Sequence, residues 1–583
     1  MPRNGVGIYI LPTGQPVAAG TIILDTVFNA LMADLADALS ASIASDGQKA
    51  MAAVLPMSGN RITNLGAGVL PGDAIRFDQA VKIADLASTT DATKGTAQIG
   101  WFRAITGFVG RKLSEKVAET VSVKDFGASG DGVTNDSAAF LAAALSLGAK
   151  GGTVQYFDKH LIDASFTLPK SVTLRGPMYL VGSPGTNTVA DYSAMAALIV
   201  NPAATISLSS GSGHTGGLVY RKGMSFPATD SSAFAGTPFT AAGDDTFLTN
   251  SLVGGFALAY KSSNFQRPQI FNNNLDNLGG IEIAVCFDIS RVHDNHAWPF
   301  MTIAALGPAT SLQRSGAAYL FHDVGDWNKS TNNFSYGYLR GHQIINCNSM
   351  TLLSVGADNT QGFTGSIGIE ILGTSTDTRI VLGQAAAQDI GIHINTSADT
   401  HTSIVSSNTW VNTSHGLLID GGDVTVIGGA YRNSPQGITV NNSASKVFVD
   451  GVRFNANSGA PISCNVATTN LRLGINDYGN LTAGVSPVLG SLTLATIASA
   501  GILALPATGS DFLVTGSTNF GSIASGFAGR KITLCFSGAP IALHSIGINA
   551  IKLNGNANFS TAANSTLSLI HNGTQWFETG RSL

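Results

Sequence analysis

Charge is scarce in this sequence: Asp, Glu, Lys and Arg make up 12% of 583 residues, and 32 Lys+Arg against 36 Asp+Glu leave a formal net charge of −4. No surplus of positive charge is available for phosphate backbones, so general nucleic-acid binding is disfavoured. Disorder is disfavoured too, because disordered chains are charge-rich and apolar-poor, whereas 44% of this chain is hydrophobic. Cysteine is rare. Cys286, Cys347, Cys464 and Cys535 lie far apart with no C-x-x-C pair, which argues against a zinc ribbon or a disulfide framework and for buried thiols. Long apolar runs are missing as well. The start, MPRNGVGIYILPTGQPV, has no sustained apolar stretch and does not read as a secretory leader. The uncharged run from Val488 to Ser510 alternates and carries Ser, Gly and Pro, so it reads as strand and turn, and no membrane insertion is expected. Glutamate occurs only at Glu115, Glu119, Glu282, Glu370 and Glu578.

What is abundant is glycine, 68 residues, beside many Ser, Thr and Asn. Such a composition suits many short strands and tight turns with little surface helix. The length requires several domains or one long array.

Most of the plausible helix lies early. Val27, Leu31, Leu35, Leu39 and Ile43 recur every fourth residue between Thr26 and Ala44, with Asp34 and Asp37 off the stripe, which predicts one amphipathic helix that packs within its domain or self-associates. A second helical piece is expected around Arg111 to Glu119. In VSVKDFGASGDGVTND, Val121 to Val123 alternates as a strand, and Gly127, Gly130 and Gly132 permit a compact turn. Thr134 or Asp136 is positioned to N-cap a helix carrying Phe140, Leu141, Ala144 and Leu145. Such a helix would cover the open end of a stack of strands.

An internal repeat decides the fold. IGIEIL, IGIHIN, HGLLID and QGITVN begin around Gly368, Gly391, Gly416 and Gly437, steps of 23, 25 and 21 residues, and RIVLG, SIVSS, VTVIGG, KVFVDG and LRLG interleave with nearly the same period. Each coil supplies successive strands, with Ile, Val and Leu stacking inward. The expected architecture is mainly β, a parallel β-helix solenoid from about Val121 to Tyr478. Residues 187–359 are less regular and read as coils with long loops or a small inserted subdomain. From 481 to 583 the alternation favours a β-sandwich.

Three segments carry a family resemblance. RNGVGIYILPTGQPVAAGTIILDTVFNALMADLADALSASIASDGQ, with MSGNRITNLGAG and DAIRFDQ, resembles the head domain by which bacteriophage tail fibres and tailspikes attach to the tail. KGTAQIGWF and GRKLSEKVAETVSVKDFGASGDGVTND resemble the junction between such a head and a pectate-lyase-like β-helix, and STLSLIHNGTQWFETGR resembles the sandwich that closes and trimerises tailspikes. The resemblance implies a right-handed β-helix and a homotrimer. It also implies an N-terminal attachment domain at 1–93, a neck at 94–120, a glycan-binding β-helix at 121–480 and a trimerisation domain at 481–583. The implied partners are phage tail, baseplate or portal-adaptor proteins and bacterial surface polysaccharide, in a virion acting at the host surface.

The candidate chemistry follows the carboxylates. Only Glu282 and Glu370 lie in the β-helix, each on a strand where apolar neighbours point inward, so each carboxylate is expected to point outward. A glycosidase needs an acid and a second carboxyl group roughly 5 to 9.5 Å apart, a separation that coils about 4.8 Å apart can supply. Asp288, Asp294, Asp323 and Asp326 are the candidate partners. Trp298, Trp327, Tyr336, Tyr338 and Trp410 are candidate sugar-contacting aromatics, since sugar rings offer apolar C–H faces. Arg291, Arg314, Lys329 and Arg340 would serve a lyase acting on a uronate polymer. Gly211, Gly213 and Gly216 match G-x-G-x-x-G but precede LVYRKG, so dinucleotide binding is not expected. His293, Asp294, His296 and His322 are read as ordinary hydrogen-bonding residues, and neither metal nor cofactor is expected. Hydrolysis by a carboxylate pair drawn from Glu282, Glu370, Asp294, Asp323 and Asp326 is the first expectation, a non-enzymatic receptor-binding fibre the alternative, and a polysaccharide lyase the next.

Overall fold

The computed structural model describes most of residues 19–40, short stretches between 66 and 117, and 120–583 except 178–191, 193, 226–230, 302–312, 361–362, 398, 469, 480–487, 493 and 507–508. Most of the head-like sequence, including 3–18, 41–65 and 73–79, lies outside the described residues. The chain divides into two units, Met1–Leu113 and Ser114–Leu583.

In the first unit the stripe forms a helix over Asp25–Ser40, with Phe28, Met32, Leu35 and Leu39 exposed. Ile43 lies outside the described residues. A two-stranded antiparallel pair joins Gly100–Trp101 to Arg111–Lys112. The helical piece expected from Arg111 is therefore shorter, Leu113–Val117, because its first two residues belong to that strand.

The second unit is a parallel β-helix. Successive coils place one strand in each of three sheets, here A, B and C, which carry 13, 14 and 13 strands among the described residues. Sheet A runs from Phe166–Leu168 to Val488–Leu492, sheet B from Thr120–Ser122 to Leu471–Leu473, and sheet C from Asp131–Asn135 to Arg453–Asn455. The chain passes from A to B to C and back. Register follows the sequence period: Glu370 pairs with His393, His393 with Leu418, and Leu418 with Thr439. Alternation does the rest, since Ile371, Ile394, Ile419 and Val440 turn inward and are fully buried in one continuous core. Residues 197–358 contribute strands to all three sheets, so the coils continue through the irregular interval.

The repeated glycines are a steric requirement. A Cβ on Gly391 would lie 2.5 Å from the carbonyl oxygen of Gly416, and one on Gly416 would lie 2.6 Å from that of Gly437. Gly391→Ala is therefore expected to lower stability by about 1–3 kcal/mol through overpacking, read as a fall in the thermal midpoint. An unchanged midpoint would show that the ladder yields without cost.

Two corners explain other sequence features. Between sheets B and C the first corner residue has positive φ, as at Asn250, Asn272, Asp294 and Asn332. The next residue is a buried asparagine in three successive coils, where Asn273, Asn295 and Asn333 bond to one another and to backbone carbonyls. The G-x-G-x-x-G match is strand Gly213–Thr215 and such a corner. His214 within it is fully buried between the Tyr156 hydroxyl and Ser251 Oγ, and burial pushes its imidazole down to about 3.

The N-terminal end is covered by the helix Ser137–Ser146, with Phe140 and Ala144 fully buried, Leu141 half-buried and Leu145 exposed. Asp136 is its N-cap by position only. Its carboxylate accepts from the amides of Ser129 and Gly130 and bonds His160 Nδ1 at 2.7 Å, while Asn135 Oδ1 accepts from the Ser137 amide. Thr134 bonds Asp131 instead.

At the C-terminal end a six-stranded mixed sheet includes Asp511–Thr515, Lys531–Phe536, Thr566–His571 and Trp576–Ser582. Two short ladders, Ile502–Leu503 with Ser522–Ile523 and Ile541–Ala542 with Phe559–Ser560, share its core. Trp576 is fully buried there and donates from Nε1 to the Ile523 carbonyl at 3.0 Å.

Candidate functional site

Sheet A presents one outward column in which Lys261, Glu282, Leu320, Gln343, Glu370, His393 and Leu418 follow one another coil by coil. Glu282 and Glu370 thus share a face, but three coil steps, about 14 Å, separate their backbones. That exceeds the roughly 5 to 9.5 Å of a glycosidase pair, so these two glutamates do not form one.

Glu370 is tied up within the protein. It accepts from Arg340 Nε at 2.8 Å and Gln343 Nε2 at 2.7 Å, lies 3.3 Å from His393 Nδ1, and has only 5% of its side chain exposed. His393 Nε2 reaches Asp420 Oδ2 at 2.9 Å, which makes a carboxylate–imidazole–carboxylate row. Burial alone would raise the Glu370 carboxyl, but the His393 bond, the Arg340 charge and the Gln343 bond outweigh it and leave it below its ordinary value. Burial alone would lower His393, and its two carboxylate partners leave it raised.

The row therefore stabilises the fold within a pH window. The Glu370 contribution is present above its ordinary 4.5 and is lost as pH falls through its lowered folded value. The His393 contribution is complete below its ordinary 6.5 and is lost as pH rises through its raised folded value. The difference in thermal midpoint between wild type and His393→Gln is expected to be largest between these limits and to shrink at alkaline pH. A difference that grows with pH would refute this assignment.

The corner between sheets A and B is open. A shallow groove of about 590 Å³ is lined there by Phe287, Asp323, Gly325, Asp326, Asn346 and Thr374, among others. Phe287 is 58% exposed, and Trp327, 63% exposed, adjoins Asp326, with Lys329 Nζ 4.6 Å from its ring centre. Asp323 and Asp326 both have positive φ in this turn. Asp323 Oδ2 lies 3.1 Å from His322 Nδ1, and Asp323 Oδ1 accepts from Asn346 Nδ2 at 3.2 Å. The His322 bond, then the Asn346 bond, hold its carboxyl below the usual carboxylate range. His322 Nε2 lies 3.4 Å from Glu282 Oε1, and Lys261 Nζ lies 2.8 Å from the same oxygen. Of the six candidate carboxyl groups, Glu282, Asp323 and Asp326 are thus gathered at one corner, and Asp288, in a turn between the same two sheets, accepts from Arg267 Nη1 at 2.6 Å.

The remaining candidates go elsewhere. Asp294 is a corner residue between sheets B and C, held by His293 Nδ1 at 2.7 Å and Asn332 Nδ2 at 2.6 Å, on the far side of sheet B from the groove. Tyr338 is buried in the core and is not available to a glycan, because it stands at an inward position of sheet A. Trp298 and Tyr336 stack 4.2 Å apart on the sheet C side, and Trp298 packs on the cluster of Phe300 and Met301. Trp410 ends a sheet C strand beneath the Arg432 guanidinium. Of the five aromatics only Trp327 is the chain neighbour of a groove-lining residue, Asp326. Arg314 is fully buried against Asp276 at 2.6 Å and Arg340 is committed to Glu370, which leaves Arg291 and Lys329 as the exposed cations of the four. His296 packs edge-on to Trp298, Phe300 and Phe334, and burial pushes it down to about 4.

Sequence reasoning missed His322 as the link between Glu282 and Asp323, and His393 and Asp420 as partners of Glu370. The second had a signal: IGIEIL aligned on IGIHIN puts Glu370 and His393 at the same repeat position.

No family model and no curated protein matches the chain. Among solved structures it is similar to the Dettilon tailspike protein, at 14% identity over 79% of this chain and 79% of that one, with a TM-score of 0.45. It is also similar to the catalytic unit of the thermostable GH87 α-1,3-glucanase of Streptomyces thermodiastaticus strain HF3-3, at 14% identity over 64% of this chain and 70% of that one, with a TM-score of 0.41. A third similar structure is the Streptococcus pneumoniae surface protein and adhesin PfbA, at 12% identity over 59% of this chain and 99% of that one, with a TM-score of 0.40.

Proposed function

We propose that this chain is a tailspike-type protein of a bacteriophage virion that binds bacterial surface polysaccharide along its β-helix and hydrolyses it at the corner between sheets A and B. In this reading residues 1–93 attach it to tail, baseplate or portal-adaptor proteins, and 481–583 hold a homotrimer together. The observation that carries the reading is the groove itself, in which Asp323 and Asp326 stand open to solvent with the exposed ring of Phe287, while the exposed Trp327 follows Asp326 in the chain.

The roles follow from the surroundings. Asp323, kept ionised by His322 and Asn346, takes a proton from water. The water oxygen bonds to the anomeric carbon, and the bond from that carbon to the leaving oxygen breaks. Asp326, whose side chain makes no hydrogen bond among the described residues, is the free carboxyl group that gives a proton to the leaving oxygen. Solvent then returns each group to its starting state.

One observation favours the second reading, adhesion without cleavage: Asp323 is held below the usual carboxylate range and so does not itself supply a proton to a leaving oxygen. Incubating the full chain with capsular, O-antigen and exopolysaccharides separates the readings. New reducing ends and shorter chains support hydrolysis. An absorbance near 235 nm, roughly where unsaturated uronates absorb, replaces it with a lyase, and binding without shortening leaves an adhesin.

A further inference from the structure

Sheet B carries an outward column that the proposed chemistry does not use. Gln269, Arg291, Lys329, Thr351, Arg379 and Ser403 follow one another in register from coil to coil. Arg291 and Lys329 are direct cross-strand neighbours, and Arg379 follows with one threonine between. Like charges placed opposite one another are destabilising, and this chain has only 32 Lys and Arg in all. None of the three forms an ion pair among the described residues, and all three are exposed.

Anions are at hand, yet they do not neutralise the row. Arg267 takes Asp244, Asp245 and Asp288, although Arg291 is near enough to help lower Asp245. Asp323 is bonded to His322 and Asn346, and Asp326 and Asp377 stand exposed in the corner turns with no ion pair among the described residues. The next outward column of sheet B, Phe271, His293, Thr331, Leu353 and Val381, offers apolar contact alongside. The cationic row occupies the start of the sheet B strands, directly after the turns that build the groove.

We propose that Arg291, Lys329 and Arg379 bind the carboxylates of an acidic polysaccharide, a uronate-bearing polymer lying along the helix axis with its sugar rings at the groove. This rests on the glycan-binding reading above and narrows it to a substrate class. The row spans three coil steps, about 14 Å, which admits several successive sugars.

The test titrates the full chain with a panel of purified bacterial capsular polysaccharides, uronate-bearing and neutral, and with a carboxyl-reduced form of each acidic one. The bound polymers are expected to be acidic and to bind less tightly as salt rises. Carboxyl reduction and the combined Arg291→Gln, Lys329→Gln, Arg379→Gln variant should each raise Kd at least tenfold. Should the variant fold poorly, the reduced polymers and the salt series still decide. Tight binding of a neutral polymer, or an unchanged Kd in the folded variant, overturns the inference and leaves the glycan-binding reading standing. Binding to no member of the panel overturns both.

Discussion

Replacing Asp323 by Asn is expected to reduce cleavage of the cognate polysaccharide by about 10²–10⁴-fold while leaving its binding near the wild-type level. The amide preserves shape and can still accept a hydrogen bond from its neighbours, but it cannot take a proton from water. Asp326→Asn should reduce cleavage similarly, with one difference: a substrate whose leaving group needs no proton should recover much of the rate. Reducing-end assays, paired with titration of binding, separate the two roles. Glu370→Gln supplies the contrast, since Glu370 is buried between Arg340, Gln343 and His393 and lies outside the groove. It should lower the thermal midpoint and spare cleavage. Full activity in Asp323→Asn would remove the base from this corner, and an equal loss of binding and cleavage would make Asp323 a binding residue only.

Replacing Arg314 by Leu is expected to destabilise the β-helix by about 3–5 kcal/mol. Arg314 and Asp276 are both fully buried, joined by two bonds from the guanidinium at 2.6 and 3.1 Å, and the Met301 amide donates to the other carboxylate oxygen at 2.8 Å. Without the guanidinium the carboxylate would lose its countercharge in a site closed to water. Exchanging both residues for apolar ones of similar volume should restore much of the loss, because the pair repays its desolvation only while both partners are present. Stacked β proteins unfold slowly, so the unfolding rate at a fixed elevated temperature is the appropriate readout. A single variant that unfolds at the wild-type rate would contradict this account.

The legible part of the fold was its period. Gly368, Gly391, Gly416 and Gly437 announced it, and the structure places their coils in register at those same steps. The interval 187–359 hid its coils because the corner signal there is asparagine rather than a repeated strand motif: Asn273, Asn295 and Asn333 form a buried ladder that continues the stack. Burial was harder to read than direction. Both glutamates point outward from sheet A, yet Glu370 is closed off by side chains from neighbouring coils. Tyr338 looks like its neighbour Tyr336 in sequence, but it turns into the core.

Period, alternation and the demand for glycine at crowded positions are properties of consecutive residues, and these sufficed for a solenoid of short parallel strands. Which residues become neighbours across coils depends on the length of each coil. Glu282, Leu320, Gln343 and Glu370 occupy one column although 38, 23 and 27 residues separate them. No local preference sets those lengths, because the loops between strands vary while the registers do not. The tertiary structure alone therefore brought His322 between Glu282 and Asp323, sent Asp294 to another corner, buried Arg314, and aligned Arg291, Lys329 and Arg379. The scarcity of charge, a fact of the sequence, becomes informative only once those three exposed cations, without an ion pair among the described residues, are seen in one row.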